Sequence, residues 1–382
     1  MAWRSAPAAN AVGALLSLAR GIRPSSWSLH TQVSDQQWTQ PRAVTHHQSS
    51  FADVLQTQHS SPMSILEPVR RFTLQHELLA EAADARAVIE AYRYQPIEEP
   101  FPCLPLLSYR IHGGNDDNAL PLTSAFYLTN LASEVLDDMM DGEQNTVWAT
   151  WGVSRIMLVA VELLTLSQAC LAQTPTDVTT LQELIERFAE AVMITSNGQR
   201  KSVRQVQTLD DYWDQAIDKS GAYFAFGMWS GARLAGASRG LLESATRFGA
   251  KLGVLSQIMD DVIDFVTESP GSRHHSTEFD SALPIVMALA SKHPGVPALQ
   301  QALRTPAIER VDNWHDRTRR LAVDLGGLAN AMAIGKLYRE DLVKILDQFP
   351  PDLSVELRNH IYGVTEIIQK AETTSQEWRN PP

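Results

Sequence analysis

The fold and chemistry of this chain are decided by two short stretches, Asp137-Asp138-Met139-Met140-Asp141 and Asp260-Asp261-Val262-Ile263-Asp264. In each stretch the first and last aspartates are four residues apart, which on an α-helix places them on one face about 5–6 Å apart. Either stretch alone fits a solvated helix end equally well. Two copies of one spacing in apolar helices instead indicate a magnesium site, because this ion takes one or two carboxylates and leaves positions for water and phosphate.

Helical periodicity surrounds both stretches. From about residue 65, apolar residues recur at helical spacing, and no alternating run indicates a strand. Glycine and proline mark the joints, as at Gly113–Gly114 and Pro350–Pro351. The sequence therefore predicts an all-α bundle of about a dozen helices. The predicted helical stretches are 84–94, 104–113, 120–141, 147–172, 178–197, 209–236, 240–267, 281–292, 297–303, 308–325, 327–348 and 353–372.

The N-terminal region has a different composition. Residues 1–34 have no acidic side chain and carry three arginines around the apolar run 11–19, a pattern compatible with a targeting segment. The stretch that follows is rich in Gln, Ser, Thr and His. We expect residues 1–62 to be a poorly ordered extension, or the result of a start codon placed too early, ahead of a helical domain at 63–375.

Bulk composition excludes several classes of function. A formal net charge of -12 argues against a nucleic-acid-binding surface, which needs basic residues. Cys103 and Cys170 form neither a metal-spaced pair nor a disulfide framework, which favours reduced thiols and a cytoplasmic location. The most apolar run, 156–166, is interrupted by Glu162, so we expect a buried core helix and no stable membrane span.

A lysine and two aromatic residues form a third feature between the aspartate stretches. On an α-helix, Lys219, Tyr223 and Phe226 fall on one face. Such a lysine can bind a departing diphosphate while the rings face a carbocation. Taken alone, the pattern fits a surface lysine above a stripe of core aromatics better.

Together these features resemble the trans-isoprenyl diphosphate synthase superfamily over residues 75–370. The resemblance implies an isoprenoid-synthase-type helical bundle around a deep central cavity, with three Mg²⁺ ions that bind and ionise an allylic prenyl diphosphate. It implies diphosphate contact for Lys219 and a place near the second metal site for Gln257. Further matches are Leu104-Pro105-Leu106-Leu107, Ser133, Gly198-Gln199, Lys219-Ser220 and Leu283-Pro284. The implied metal ligands are Asp137, Asp138, Asp141, Asp260, Asp261 and Asp264.

The chain departs from this pattern where chain-elongating members bind isopentenyl diphosphate. Their G-G-K-R-x-R-P motif corresponds to residues 99–105 here, and their arginine pair after the first aspartate motif corresponds to residues 142–146. Neither stretch contains a basic residue. The cation must then cyclise, lose a proton or be captured by water, which is class I terpene synthase chemistry. Arg273 is a candidate diphosphate contact, and Arg200, Lys201 and Arg204 are weaker ones.

Residues one turn before Asp137 limit substrate length in this family. Here they are Ala132 and Ser133, which are small, with Phe126 deeper along the helix. We expect a pocket for a C20 substrate that ends near Phe126, and therefore a diterpene synthase.

Several alternatives remain open at this point. Some bacterial members, such as the kolavelool synthase that yields a tertiary alcohol, act on a diphosphate already cyclised by a class II enzyme. Other candidates are a prenyltransferase with a non-isopentenyl acceptor, a polyprenyl diphosphate synthase, and a non-catalytic regulatory subunit of a prenyl synthase. The family is commonly dimeric, which makes a homodimer an expectation here.

Overall fold

Every regular element in the described part of the chain is helical, which confirms the predicted all-α class. The computed structural model describes residues 65–94, 100–114, 116–141, 146, 148–202, 208–267, 279–306, 309–310, 314–349, 354–355, 357–359 and 361. The first helices are α1 (Glu67–Leu74), α2 (Ala83–Ala91), α3 (Leu104–Ile111), α4 (Asp116–Asp141), α5 (Val153–Ala172) and α6 (Val178–Ser202). The later ones are α7 (Leu209–Ala216), α8 (Ala222–Leu234), α9 (Arg239–Thr267), α10 (Leu283–Ala290), α11 (Val296–Leu303), α12 (Trp314–Asp324) and α13 (Gly327–Leu346).

Helix α4 is the central element that carries the first aspartate motif. Its middle turns are buried on almost every side, because α1, α3 and α5 pack around it. Buried hydroxyls on this helix bond to backbone carbonyls, as where Thr123 Oγ1 donates to Ala119 O over 2.8 Å. Such pairing removes most of the cost of placing polar groups in the core. The motif thus lies at the end of a rigid, fully packed helix.

Helices α7 and α8 form one continuous rod, as the prediction over 209–236 anticipated. Thr208 caps its start by accepting from Asp211 N over 3.1 Å. The rod ends at Gly236, which has a φ of +75°, and Ala237 N donates to Ala232 O over 3.0 Å. Between the two helices the residues Ile217–Gly221 form a π-helical turn, which the sequence did not predict. Turns of this type are frequent at functional sites.

Helix α9, which carries the second aspartate motif, packs closely on this rod. A Cβ added at Gly253 would lie 2.4 Å from Ser220 O, and one at Gly249 would lie 2.3 Å from Phe224 O. Glycine at both positions lets the two helix backbones approach more closely than any side chain would allow. The second motif is thereby placed beside the π-helical turn.

The predicted boundaries differ from the observed ones mainly at helix starts. Helix α5 begins at Val153 and not at residue 147, because Trp148 to Trp151 form a turn. Helix α12 begins at Trp314, six residues after the predicted start. The proposed extension 1–62 lies outside the described residues, as does most of the predicted helix 353–372.

Helix α5 contains the apolar run 156–166, for which the sequence predicted a buried core helix. It is long and apolar enough to cross a membrane by length and composition alone, although 44% of its most apolar window is buried in the protein. Its inner face packs on α4, as a core helix does. Core helices of soluble proteins commonly have this length and composition, so neither property by itself indicates a membrane span.

Candidate active site

A cavity of about 550 Å³ lies between α4, α6, α9 and the π-helical turn. Both aspartate motifs contribute to its wall, together with Lys219 from the turn. The structure therefore brings the three sequence features to one place. The acidic residues that line the cavity are Glu134, Asp137, Asp260, Asp261 and Asp264.

The first motif presents its aspartates in different directions. Asp137 lines the cavity, and its Oδ1 accepts a hydrogen bond from Gln199 Nε2 over 2.9 Å. Asp138 is not among the lining residues, and its Oδ2 accepts from Trp148 Nε1 over 3.1 Å. Neighbouring helical residues point about 100° apart, so the two carboxylates cannot share one face. The side chain of Asp141 lies outside the described part of the structure.

The second motif divides its aspartates in a similar way. Asp260 and Asp264 are exposed at the cavity wall. Asp261 lies deeper, where its Oδ1 accepts from Gln257 Nε2 over 3.0 Å and its Oδ2 accepts from Leu283 N over 2.9 Å. Burial raises the pKa of Asp261 to about 6, although these hydrogen bonds act in the opposite direction. Since Leu283 begins α10, Asp261 joins the motif to the start of that helix.

The last turns of α6 hold the π-helical turn from one side. A Cβ at Gly198 would lie 2.2 Å from Lys219 N and 2.5 Å from its Cα, so only glycine allows this approach. Asp218, which is largely buried, pairs with Lys201 Nζ at 2.6 Å and accepts from Asn197 Nδ2 over 3.3 Å. These contacts fix the backbone from which Lys219 reaches the cavity.

The basic residues proposed around the motifs have different surroundings. Lys201 pairs with Asp218, and it is not a lining residue. Arg200 is exposed. Arg204 and Arg273 lie outside the described residues. Of the lining residues that the structure describes, Lys219 is the one with a cationic side chain.

A second contact holds the π-helical turn from the side of α9. Ser220 Oγ donates to Gln257 Oε1 over 3.3 Å, and the amide of the same Gln257 donates to Asp261. This glutamine therefore connects the lysine turn with the second motif. The resemblance placed Gln257 near the second metal site, and the cavity wall includes it.

An aromatic pair stands at the part of the cavity wall formed by Tyr223. Tyr223 lines the cavity and stacks on Phe126 with ring centroids 4.1 Å apart. Its hydroxyl donates to Phe126 O over 2.5 Å, which fixes the ring. Ser133 also lines the wall, whereas Ala132 is fully buried in the core. Phe226 is buried in the core, with its ring centroid 6.4 Å from that of Phe126, and is likewise not a lining residue.

The wall near the start of α3 is aromatic. Its rings pack in pairs, with centroids 4.8 Å apart for Tyr92 and Tyr94 and 4.9 Å apart for Phe101 and Phe224. We call these four residues the aromatic wall. Sequence reasoning missed it because the aromatic residues lie in different segments with no shared spacing. A tyrosine pair just before a proline-rich stretch was the one local signal.

The donor chemistry of the cavity suits magnesium bound together with a diphosphate. In the described residues no group of three or more His, Cys, Asp or Glu side chains is placed to hold a metal ion by itself. Magnesium commonly uses one or two protein carboxylates and completes its octahedron with water and substrate phosphates. Asp137, Asp260 and Asp264 could hold such ions from opposite sides of the cavity. When bound, the metal would supply Lewis acidity to the leaving diphosphate.

In sequence, the chain is similar to enzymes that are named as prenyl diphosphate synthases. The polyprenyl synthetase family model matches residues 102–313. Geranylgeranyl diphosphate synthase from Mycobacterium tuberculosis is 28% identical over 236 residues, which cover 56% of this chain and 65% of that protein. (2E,6E)-Farnesyl diphosphate synthase from Mycobacterium bovis is 27% identical over 169 residues, which cover 42% and 47%. The chain thus spans less than two thirds of the length of these relatives.

Solved structures share the fold. Polyprenyl synthase from Caulobacter crescentus, complexed with calcium and isoprenyl diphosphate, superposes with a TM-score of 0.65 at 20% identity. The match covers 85% of this chain and 98% of that one. Decaprenyl diphosphate synthase from Rhodobacter capsulatus gives a TM-score of 0.65 at 18% identity and covers 84% and 99%. At these identities the likeness shows the isoprenoid-synthase-type bundle.

Proposed function

Because the chain belongs to the polyprenyl synthetase family, we propose that it is a magnesium-dependent class I terpene synthase that ionises one allylic prenyl diphosphate. One observation carries the proposal: among the described lining residues the cavity has a single cationic side chain, that of Lys219. A second diphosphate would need further positive charge to enter an acidic cavity. Without a second diphosphate, the cation has no isopentenyl unit to attack.

The chemistry follows from where the side chains lie. Asp137, Asp260 and Asp264 would hold the metal ions that bind the diphosphate, and Lys219 would bind the departing group as its negative charge develops. The hydrocarbon chain would extend toward Tyr223 and along the aromatic wall. Aromatic faces stabilise a cation without reacting with it. The product would be a hydrocarbon or an alcohol, released together with diphosphate.

The cavity dimensions bear on substrate size. The small Ser133 lines the wall on α4, and the stacked Tyr223 and Phe126 would set the depth. We propose a C20 substrate, either linear or already cyclised by a class II enzyme. Kolavelool synthases act on a substrate of the second type.

A second candidate function is chain elongation by a polyprenyl diphosphate synthase. It is favoured by the curated relatives, which are named as synthases of prenyl diphosphates. The two candidates differ in their need for isopentenyl diphosphate. A transferase with another acceptor would share the ionisation step with the terpene synthase.

The decisive experiment incubates the purified protein with Mg²⁺ and C10, C15 or C20 allylic diphosphates, with and without isopentenyl diphosphate. Diphosphate release and product identity are measured together. We expect release and a hydrocarbon or alcohol from the allylic substrate alone, with no turnover in the presence of a chelator. Longer prenyl diphosphates would overturn the proposal in favour of elongation. No release from any substrate would favour a regulatory subunit.

A second copy of the chain is the proposed partner. The outer face of α5 exposes Val153, Met157, Leu158 and Val161, each more than half exposed. Apolar patches of this kind commonly mark protein interfaces. Light scattering on the protein and on a Met157→Lys variant would test a homodimer: the variant should shift toward a monomer.

A further inference from the structure

One carboxylate on the cavity wall belongs to neither aspartate motif. Glu134 lies on α4, three residues before Asp137, and is half-buried. Of the lining residues that the structure describes, it is the one acidic side chain outside the motifs. Its surroundings differ from those of the motif aspartates, because it lies beside the aromatic wall.

Glu134 is part of a chain of hydrogen bonds. Tyr94 Oη donates to Asn130 Oδ1 over 2.7 Å, and Asn130 Nδ2 donates to Glu134 Oε1 over 3.4 Å. The carboxylate can only accept, which fixes the amide orientation and leaves the tyrosine as donor. Burial, with a smaller contribution from Glu134, raises the pKa of Tyr94 well above its usual value, so its hydroxyl keeps the proton. All three residues line the cavity.

In the proposed reaction the cavity must stabilise a carbocation. Aromatic rings alone would serve that purpose and would exclude water. Bound water, by contrast, needs several polar partners. A carboxylate offers about four acceptor sites, so one carboxylate can accept hydrogen bonds from an amide and from a water molecule at the same time.

We propose that Glu134, oriented by Asn130 and Tyr94, binds the water molecule that captures the carbocation and accepts its proton. The inference rests on the proposed terpene synthase function. It specifies the product class as an alcohol and assigns Glu134 as a catalytic residue. Asn130 and Tyr94 are positioning residues.

The step balances without any further reagent. Ionisation breaks the carbon–oxygen bond, and diphosphate departs with the electron pair. A lone pair of the water oxygen then forms the new carbon–oxygen bond, and one O–H bond breaks. Its electrons stay on the oxygen, and its proton passes to the Glu134 carboxylate, which returns it to solvent after product release. The net reaction converts the prenyl diphosphate and water into an alcohol, diphosphate and a proton.

The test compares the wild-type protein with Glu134→Leu and Glu134→Gln, using Mg²⁺ and the C20 allylic diphosphate in ¹⁸O-labelled water. The readout is alcohol formed per diphosphate released. In the wild type we expect an alcohol that carries ¹⁸O. In Glu134→Leu this ratio should fall by about 10²-fold or more, the usual contribution of a positioned base, with hydrocarbon in its place. Glu134→Gln is nearly isosteric and should also lower the ratio, because it cannot accept the proton.

Tyr94→Phe separates positioning from direct contact. It removes the hydroxyl that holds Asn130, so the alcohol ratio should fall less than in Glu134→Leu. Glu186→Leu is the matched control, because Glu186 is exposed on α6 and does not line the cavity. It should keep the wild-type ratio. Melting temperatures establish that each variant is folded.

The outcomes distinguish the two levels of the proposal. Diphosphate release with hydrocarbon alone, or an unchanged ratio in both Glu134 variants, would overturn the water site and leave the terpene synthase function standing. A rise in the Mg²⁺ concentration needed by Glu134→Gln would identify Glu134 as a metal ligand and would also overturn it. Elongated products, or no diphosphate release, would overturn both.

Discussion

Gln199 Nε2 donates a hydrogen bond to Asp137 Oδ1 over 2.9 Å, and this bond joins the end of α6 to the first aspartate motif. The residue before it, Gly198, packs directly on the backbone of Lys219. A single helical turn therefore positions both a carboxylate of the motif and the cationic side chain of the cavity.

Replacing Gln199 with Leu should lower turnover while the fold is kept. The substitution removes the donor that orients Asp137, and loss of such an orienting bond typically costs about 10- to 100-fold in metal affinity or activity. Steady-state kinetics over a range of Mg²⁺ concentrations would measure it. Gln182→Leu is the control, since Gln182 is exposed on the same helix and bonds only loosely to Glu186 at 3.5 Å. Equal kinetics in the two variants would contradict the orienting role.

Gly198→Ala should destabilise the protein and displace Lys219. The new Cβ would lie 2.2 Å from Lys219 N, which forces the two backbones apart and costs about 1–3 kcal/mol of unfolding free energy. Chemical denaturation and diphosphate release would be measured together. At Gly240 no atom lies within 4 Å of an added Cβ, so Gly240→Ala should leave stability unchanged or slightly higher. If Gly198→Ala is as stable and active as Gly240→Ala, the close approach of Gly198 to the backbone of Lys219 is not required.

The two neighbouring aspartates of the first motif should differ in importance. Asp137→Asn should lower kcat by about 10²-fold or more, because a bound metal contributes several kcal/mol to the leaving-group step. Asp138→Asn should cost about tenfold or less, because Asp138 does not line the cavity and its hydrogen bond from Trp148 is worth about 1 kcal/mol. Kinetics of both variants, with Trp148→Phe beside them, provide the test. If the two variants lose similar activity, Asp138 is also a metal ligand.

Two adjacent positions on α4 should respond differently to a large side chain. Ser133→Phe places a ring in the cavity and should shift the preferred substrate from C20 toward C15 or C10. Ala132→Phe should instead lower stability by about 1–3 kcal/mol, because Ala132 is fully buried and overpacking strains the core. Competition assays with mixed diphosphates and thermal melts would measure the two effects. Unaltered C20 turnover in Ser133→Phe would contradict the assigned pocket wall.

Much of the fold could be predicted from local patterns. The spacing around residues 240–267 predicted helix α9 to within a residue at its start, because an amphipathic period is a property of neighbouring residues. The π-helical turn was missed because it depends on contacts from α6 and α9. Nothing near Gly198 or Gly253 in the sequence indicates that these glycines pack against the turn. Glu134 and the aromatic wall were missed for the same reason.

By itself, the sequence determined the helical class, the spacing of the two aspartate motifs and the lysine between them. It did so because spacing along a helix fixes which side chains share a face. Only the tertiary structure decided which side chains face the cavity: Asp137 does and Asp138 does not, and Tyr223 does while Phe226 lies in the core. That outcome depends on how each helix is rotated about its own axis, and the rotation is set by the helices packed against it.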